Sequence, residues 1–187
     1  MINEVYLNSD IERQMRESYN DNGFIVISDF LKKGHYNEVK KLVKIFKFRK
    51  ECAPNLFSYS ETREKFDFFA GKKFLEFIGK IVGMRLTKVS CDIRKFTHRD
   101  YTLIHDADSI NSDRIEFFYF ILNKWENDWG GMKYYFSHGE ANFFIPLGNA
   151  LCIVLRKKGT QSFVKYVNNL VGKKEFVIVS GSISLRD

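Results

Sequence analysis

The residue types best suited to chemistry crowd into Thr97 to Asp108, where His98, Asp100, His105, Asp106 and Asp108 fall as a β-rich run gives way to a loop. Imidazole and carboxylate groups two or three residues apart at a strand end converge on one borderline metal ion, and a neighbouring strand supplies the third ligand. Two pairings meet that requirement. His98-Arg99-Asp100 is a literal H-x-D, and His105 stands before both Asp106 and Asp108. The thiols point elsewhere: Cys52, Cys91 and Cys152 are widely spaced and never form a CxxC pair, and Cys91 and Cys152 read as small core residues with no adjacent base. No P-loop, dinucleotide fingerprint or hydrolase elbow is present.

Elements must hold this cluster in place. Ser9 with Glu12 predicts a capping box ahead of a helix through about Tyr19, stopped by Asn20-Asp21-Asn22-Gly23. A short buried strand, Phe24 to Ile27, follows. After Asp29 a basic helix runs to about Phe48, then a looser stretch around Pro54 leads to a helix from about Lys72 to Ile81, with Phe74, Phe77, Ile78 and Ile81 on one side. From Leu86 the texture turns to short β-rich runs: Leu86 to Phe96, Tyr101 to Ile104, Ile115 to Leu122, Met132 to Phe136, Phe143 to Ile145, Ala150 to Arg156, Phe163 to Val167 and Phe176 to Ser184. Many short strands in series make a sandwich or barrel, and no stretch has linker composition. The expectation is one mainly β domain over 1–187, with a helical support region at 1–85 and the β core at 86–187.

The bulk properties agree with such a domain. The chain has 187 residues, 44% hydrophobic, 28% charged and 16% aromatic, with two prolines, which excludes disordered, collagen-like and disulfide-scaffold classes. The N-terminus has neither a basic nor an apolar signal region, and the longest apolar run, Ala150 to Leu155, is far below the ~18 residues of a membrane span. No membrane association and a reducing cytoplasm are expected. Net charge is +7. Lysines are thickest from Lys32 to Lys50, where Tyr36, Val39, Leu42, Val43 and Phe46 recur at helical spacing, so most of those lysines form the solvated face of one helix. The alternative reading of that face is a weak RNA or ribosomal contact.

Downstream order sharpens the metal reading. His105-Asp106-Ala107-Asp108 precedes Arg114-Ile115, the apolar run Phe117 to Leu122, Trp125 to Gly131 with its Gly130-Gly131 turn, Pro146 with Asn149 and Leu151, and Ser180-Gly181. This order resembles the prolyl-4-hydroxylase-like branch of the 2-oxoglutarate/Fe(II)-dependent dioxygenases, over about residues 86–184 and more loosely through Gly23 to Leu31. The resemblance implies a double-stranded β-helix, the cupin-like jelly roll, braced by α-helices, with Fe(II) and 2-oxoglutarate at its open end. It also implies a hydroxylase acting on an unknown protein, nucleic-acid or small-molecule substrate. Three ligands on one face of the metal leave positions for the oxoacid and O₂.

Residue by residue, the resemblance makes His105 the first iron ligand, because of its spacing to Arg114-Ile115. The carboxylate is Asp108 if one residue is inserted and Asp106 if not, and the resemblance favours Asp108. His98-Arg99-Asp100 lies too far upstream of that strand. The distal histidine falls near Val164, no histidine follows His138, and Asn169 would offer only a neutral oxygen. For the far carboxylate of 2-oxoglutarate, Phe176 stands where some relatives carry arginine, Lys174 where others carry lysine, and Lys165 is second to Lys174. Phe96 occupies the place of a tyrosine that contacts the oxoacid in many relatives. The incomplete triad supports an alternative, a catalytically silent jelly-roll binding module of the same fold. Trp125, Trp129, Tyr134 and Tyr135 are expected to close the end of the sandwich by packing.

Overall fold

The computed structural model describes residues 1–104, 112–137 and 139–184. In chain order it has α1 (Ser9–Asn22), β1 (Phe24–Ile27), α2 (Lys33–Ile45), β2 (Arg49–Ala53), β3 (Phe57–Thr62), α3 (Asp67–Ala70) and α4 (Lys72–Val82). The strands β4 (Ser90–Phe96), β5 (Tyr101–Thr102), β6 (Arg114–Ile121), β7 (Lys133–Ser137), β8 (Glu140–Phe144), β9 (Ala150–Arg156), β10 (Gln161–Val164) and β11 (Phe176–Ser184) follow.

The helices form for local reasons. α1 starts where the Asn8 side chain accepts hydrogen bonds from the Asp10 and Ile11 N–H groups, so Asn8 is the cap in place of the expected Ser9/Glu12 box. It runs three residues past Tyr19, to Gly23, whose φ of 73° lets its N–H turn back to the Tyr19 carbonyl. α2 stops at Ile45, short of the expected Phe48. It buries Val39 and Val43 and leaves Lys33, Lys41 and Lys44 in solvent, as the spacing requires. α4 buries Phe74, Phe77, Ile78 and Ile81, with Phe74 packed edge-on against Phe117 of β6 at 4.8 Å. Among the described residues no helix is long and apolar enough to cross a membrane.

Segment 49–62 departs from the expectation of a mostly helical N-terminal part, because it folds as the antiparallel hairpin β2–β3. Asn55, at φ 63°, makes its turn, and Leu56 N–H closes it on the Ala53 carbonyl at 3.0 Å. Arg49, Lys50 and Glu51 mask the strand period, as charge does on an edge strand that must not recruit further chains.

The sheet runs β1-β9-β6-β11-β4-β3-β5-β10-β7-β8, with β2 on β3. Within it, β4-β11-β6-β9 form one group and β5-β10-β7-β8 the other. Successive strands cross from one group to the other except at the β7–β8 hairpin, and the two groups face each other as a jelly roll. Phe118 of the large group meets Phe144 of the small one at 5.1 Å. β6 shows why its sequence is unbrokenly apolar. Ile115, Phe117, Tyr119 and Ile121 pack toward the helices, whereas Phe118 and Phe120 pack inside the roll. Asn149 fastens the helical part to this core from a left-handed φ of 63°. Its amide oxygen accepts from Leu31 N–H (2.9 Å) and Tyr119 Oη (2.7 Å), and its Nδ2 donates to the Leu31 carbonyl at 2.9 Å.

Candidate functional site

His105, Asp106 and Asp108 lie outside the described residues, as does His138. The chain leaves β5 at Thr102 and enters β6 at Arg114. What the structure does describe is the cavity between the two strand groups that flank that segment.

The other candidate pair has a different task. Asp100 is fully buried, and both of its oxygens are taken. Ser58 Oγ (2.8 Å) and the Lys50 ammonium donate to Oδ1, while Thr97 N–H (2.9 Å) and Thr97 Oγ1 (3.0 Å) donate to Oδ2. A carboxylate filled by four protein donors has no lone pair left for a metal, so Asp100 is the clasp of the Thr97–Asp100 turn. Val167 N–H donates to its backbone carbonyl at 2.9 Å and ties that turn to the segment after β10.

The cavity holds about 230 Å³ and is lined by Phe57, Tyr59, Arg94, Phe96, Thr102, Lys133, Ser162, Val164, Ile178 and Ser180. That is far more than the ~10–15 Å³ needed to seat one water. The strand period explains who faces it. Arg94 and Phe96 alternate inward on β4, as Ile178 and Ser180 do on β11 and Ser162 and Val164 on β10. Its two charged lining residues are both cations, and Thr102, Ser162 and Ser180 add hydroxyls. Arg94 Nε meets Glu61 Oε1 at 3.2 Å, its Nη2 lies 3.8 Å from Asp92 Oδ2, and its guanidinium covers the Tyr59 ring at 4.5 Å.

Two of the positions where the resemblance places iron and oxoacid contacts, 164 and 176, hold apolar residues. Val164 is buried, and its N–H donates to Thr102 Oγ1 at 2.7 Å. Phe176 is buried completely. It stacks on Phe96 with centroids 5.2 Å apart and planes at 11°, and it meets the edge of Trp125 at 4.7 Å. A Cβ on Gly131 would sit 2.7 Å from the Phe176 ring, so the Gly-Gly turn leaves room for this aromatic plug. Trp125 Nε1 donates to the Gly130 carbonyl at 2.9 Å, in keeping with a packing role. Lys174 is exposed, with its ammonium 4.4 Å over the Trp129 ring, and Lys165 is exposed on β10's outward side just past the strand. Neither lines the cavity.

A buried ion network borders the cavity through Lys133. Arg156 Nη1 donates to Glu116 Oε1 at 2.8 Å and Tyr135 Oη to Glu116 Oε2 at 2.9 Å. Burial pushes the Glu116 carboxyl up, but Lys133, Arg156 and the Tyr135 hydroxyl outweigh it and hold the group below its ordinary value. Burial raises the Cys91 thiol to about 11 and the Cys152 thiol further, as suits inert core cysteines.

The described residues bear on one of the two implied groups. A cavity with two cations, three hydroxyls and aromatic walls suits a small dicarboxylate such as 2-oxoglutarate. For iron, the described residues contain no cluster of three His, Cys, Asp or Glu, and the cavity lining has no such side chain. The candidate iron ligands His105 and Asp108 lie outside the described residues, so the lining bears on the oxoacid alone. Arg94 and Lys133 are the site residues that sequence reasoning missed; the strand period could have found Arg94, two positions before Phe96.

No family model matches the chain. It is 24% identical over a 220-residue alignment to the prolyl 3-hydroxylase OGFOD1 of Xenopus laevis, covering 90% of this chain and 42% of that protein. The mouse OGFOD1 is 31% identical over 81 residues, 42% of this chain and 15% of that protein. The chain thus spans less than half the length of the curated relatives it matches. Among solved structures, a prolyl hydroxylase from Trichoplax adhaerens, in complex with a hypoxia-inducible-factor oxygen degradation domain peptide fragment, superposes with a TM-score of 0.72 at 15% identity over 97% of this chain and 92% of that one. A prolyl-4-hydroxylase from Pseudomonas putida gives 0.72 at 12% identity over 94% and 100%. A 2OG-Fe(II) oxygenase family oxidoreductase from Burkholderia pseudomallei gives 0.71 at 13% over 95% and 92%. The chain has the jelly-roll fold of the 2-oxoglutarate/Fe(II) oxygenases, and the likeness to their prolyl-hydroxylase-like branch read from its sequence holds.

Proposed function

We propose that the protein is a 2-oxoglutarate-dependent oxygenase of hydroxylase type, which takes 2-oxoglutarate into the jelly-roll cavity and uses His105 and Asp108 to hold Fe(II). The observation that carries this reading is the cavity itself, whose lining cations, Arg94 and Lys133, meet three hydroxyls inside the fold of that oxygenase family. Bound iron would supply the O₂ chemistry that couples conversion of 2-oxoglutarate to succinate and CO₂ with hydroxylation of a C–H bond. This chain's residues bind the oxoacid, and the Phe96–Phe176 stack with Trp125 gives the roll an apolar packed wall beside it. The relatives' names favour a prolyl side chain in a peptide as substrate.

One observation favours a second reading, a silent relative that binds the oxoacid without turning it over: Val164, buried and apolar, stands where the third iron ligand is expected. Succinate release decides between the two. The hydroxylase reading expects release that requires Fe(II) and is abolished in His105→Ala. Saturable 2-oxoglutarate binding with no Fe(II)-dependent succinate would overturn it in favour of the silent relative.

A further inference from the structure

We propose that the free edge of β8 takes up an extended peptide as an added strand, with a basic side chain of that peptide in the acidic hollow beside β1 and an apolar one on the aromatic outer face of the small sheet. No β8 residue lines the central cavity, so the inference stands apart from the oxoacid reading.

Among the described residues β8 ends the strand order and pairs with β7 alone, and Glu140, Ala141, Asn142 and Phe143 are exposed. Its outer main chain therefore presents N–H and C=O groups, at every second residue, with no strand to meet them. The β2 margin is guarded differently. Arg49, Lys50 and Glu51 stand there in a row, whereas β8 carries one charge, at its start. A margin left open in this way accepts an added strand.

Alternation gives the added strand two different faces to read. On the outer side the Phe143 ring meets Tyr134 at 5.7 Å, and Tyr134 stacks on Phe163 at 4.8 Å with planes at 3°. Phe143 is 56% exposed, so this row reaches the margin with an open aromatic face. On the other side Glu140 and Asn142 line a hollow of about 330 Å³ together with Asp21, Tyr135 and Lys157. Among the described residues neither Asp21 nor Glu140 has an ion pair, and α1 ends at this hollow, adding the partial negative charge of its last carbonyls. Two carboxylates and a helix C-terminus outweigh Lys157. The hollow thus suits a cationic side chain, and the outer row an apolar or aromatic one. A second copy fits this margin poorly. An edge of five residues, ~17 Å long, supplies only part of the ~800 Å² that each partner gives to a standard interface. Pairing β8 with its own copy would also set one acidic hollow beside the other, and like charges brought together across strands are destabilising.

Fluorescence anisotropy of the full chain with the labelled, end-blocked peptide Gly-Val-Arg-Phe-Thr-Val-Gly, in which Arg alternates with apolar residues, tests this. A Glu-for-Arg analogue and two analogues N-methylated at alternate residues, one in each phase, serve beside it. Saturable binding of the Arg peptide is expected, at least fivefold tighter than that of the Glu analogue. One N-methylated phase should abolish binding and the other should keep it, since only one set of N–H groups faces β8. A purely electrostatic contact would not separate the phases. Glu140→Lys should weaken the Arg peptide at least fivefold and shift preference toward the Glu analogue, and Phe143→Ala should weaken it severalfold; both side chains are exposed, so both variants are expected to fold. No binding of the Arg peptide, wild-type affinity in Glu140→Lys, or equal effects of the two N-methylated phases would overturn the proposal. Self-association of the chain that Phe143→Ala abolishes would overturn it in favour of a second copy.

Discussion

Asp100 and Val164 show how residue identity and residue role part company. Asp100 sits in a literal H-x-D yet gives both oxygens to Lys50, Ser58 and Thr97 inside the fold. Asp100→Ala should therefore cost about 2–4 kcal/mol in urea unfolding, the scale of losing a charge-assisted hydrogen bond and leaving its donors unpaired, and should leave any metal affinity of the folded protein unchanged. A fall in metal affinity at unaltered stability would contradict the clasp. Glu116 gives a pH signature. Its carboxyl is held below its ordinary 4.5 in the folded state, so the stability it adds is complete above that value and is lost as pH falls through the lower folded one. Glu116→Gln should cost about 1.5–3 kcal/mol at neutral pH, the worth of a hydrogen bond to a charged group, and the gap to wild type should close in acid. A gap that stays constant from pH 7 down to pH 3 would contradict it. The missing distal histidine and the phenylalanine at 176 were legible in the sequence once the family resemblance set which positions to compare. Lys133 was not, because in Met132 to Phe136 every position but one is apolar or aromatic and its inward direction depends on the register of β7 against β10.

At the scale of elements, β9 and β11 are read from sequence at their full lengths because both lie in the middle of the large sheet, buried on both sides, and continuous Val, Ile and Leu runs leave little choice. The hairpin β2–β3 was hidden for the opposite reason: at the margin its charged positions carry no burial signal. Gly181 explains its own place in β11. A Cβ there would come within 2.3 Å of the Phe117 ring and 2.9 Å of Val89 Cγ2. Gly181→Ala should lower stability by about 1–3 kcal/mol, as overpacking of a filled core does, and a thermal midpoint equal to wild type would show that the Phe117 ring has room to move. Asn149 is the corresponding fastener between elements, and removing its amide in Asn149→Ala leaves Leu31 backbone groups and Tyr119 unpaired in the core. A loss of about 1–3 kcal/mol is expected for such orphaned groups, read in the same urea titration; a loss under the error of that titration would assign the clamp to packing alone.

For the whole molecule, the strand order was the decisive quantity and the sequence hinted at it only through the order of its motifs. The crossing of successive strands between β4-β11-β6-β9 and β5-β10-β7-β8 creates the enclosed space, and the same crossing brings Thr102, Val164 and Lys133, far apart in the chain, into one row. Local propensity cannot supply that, since it is a property of closure. The central claim is that this space receives a 2-oxoacid. A crystal of the protein soaked with an unreactive oxoacid analogue tests it most directly. The account expects one molecule inside the roll, in contact with the cavity lining. An empty cavity at saturating analogue, or a molecule bound only on the outer surface, would contradict it.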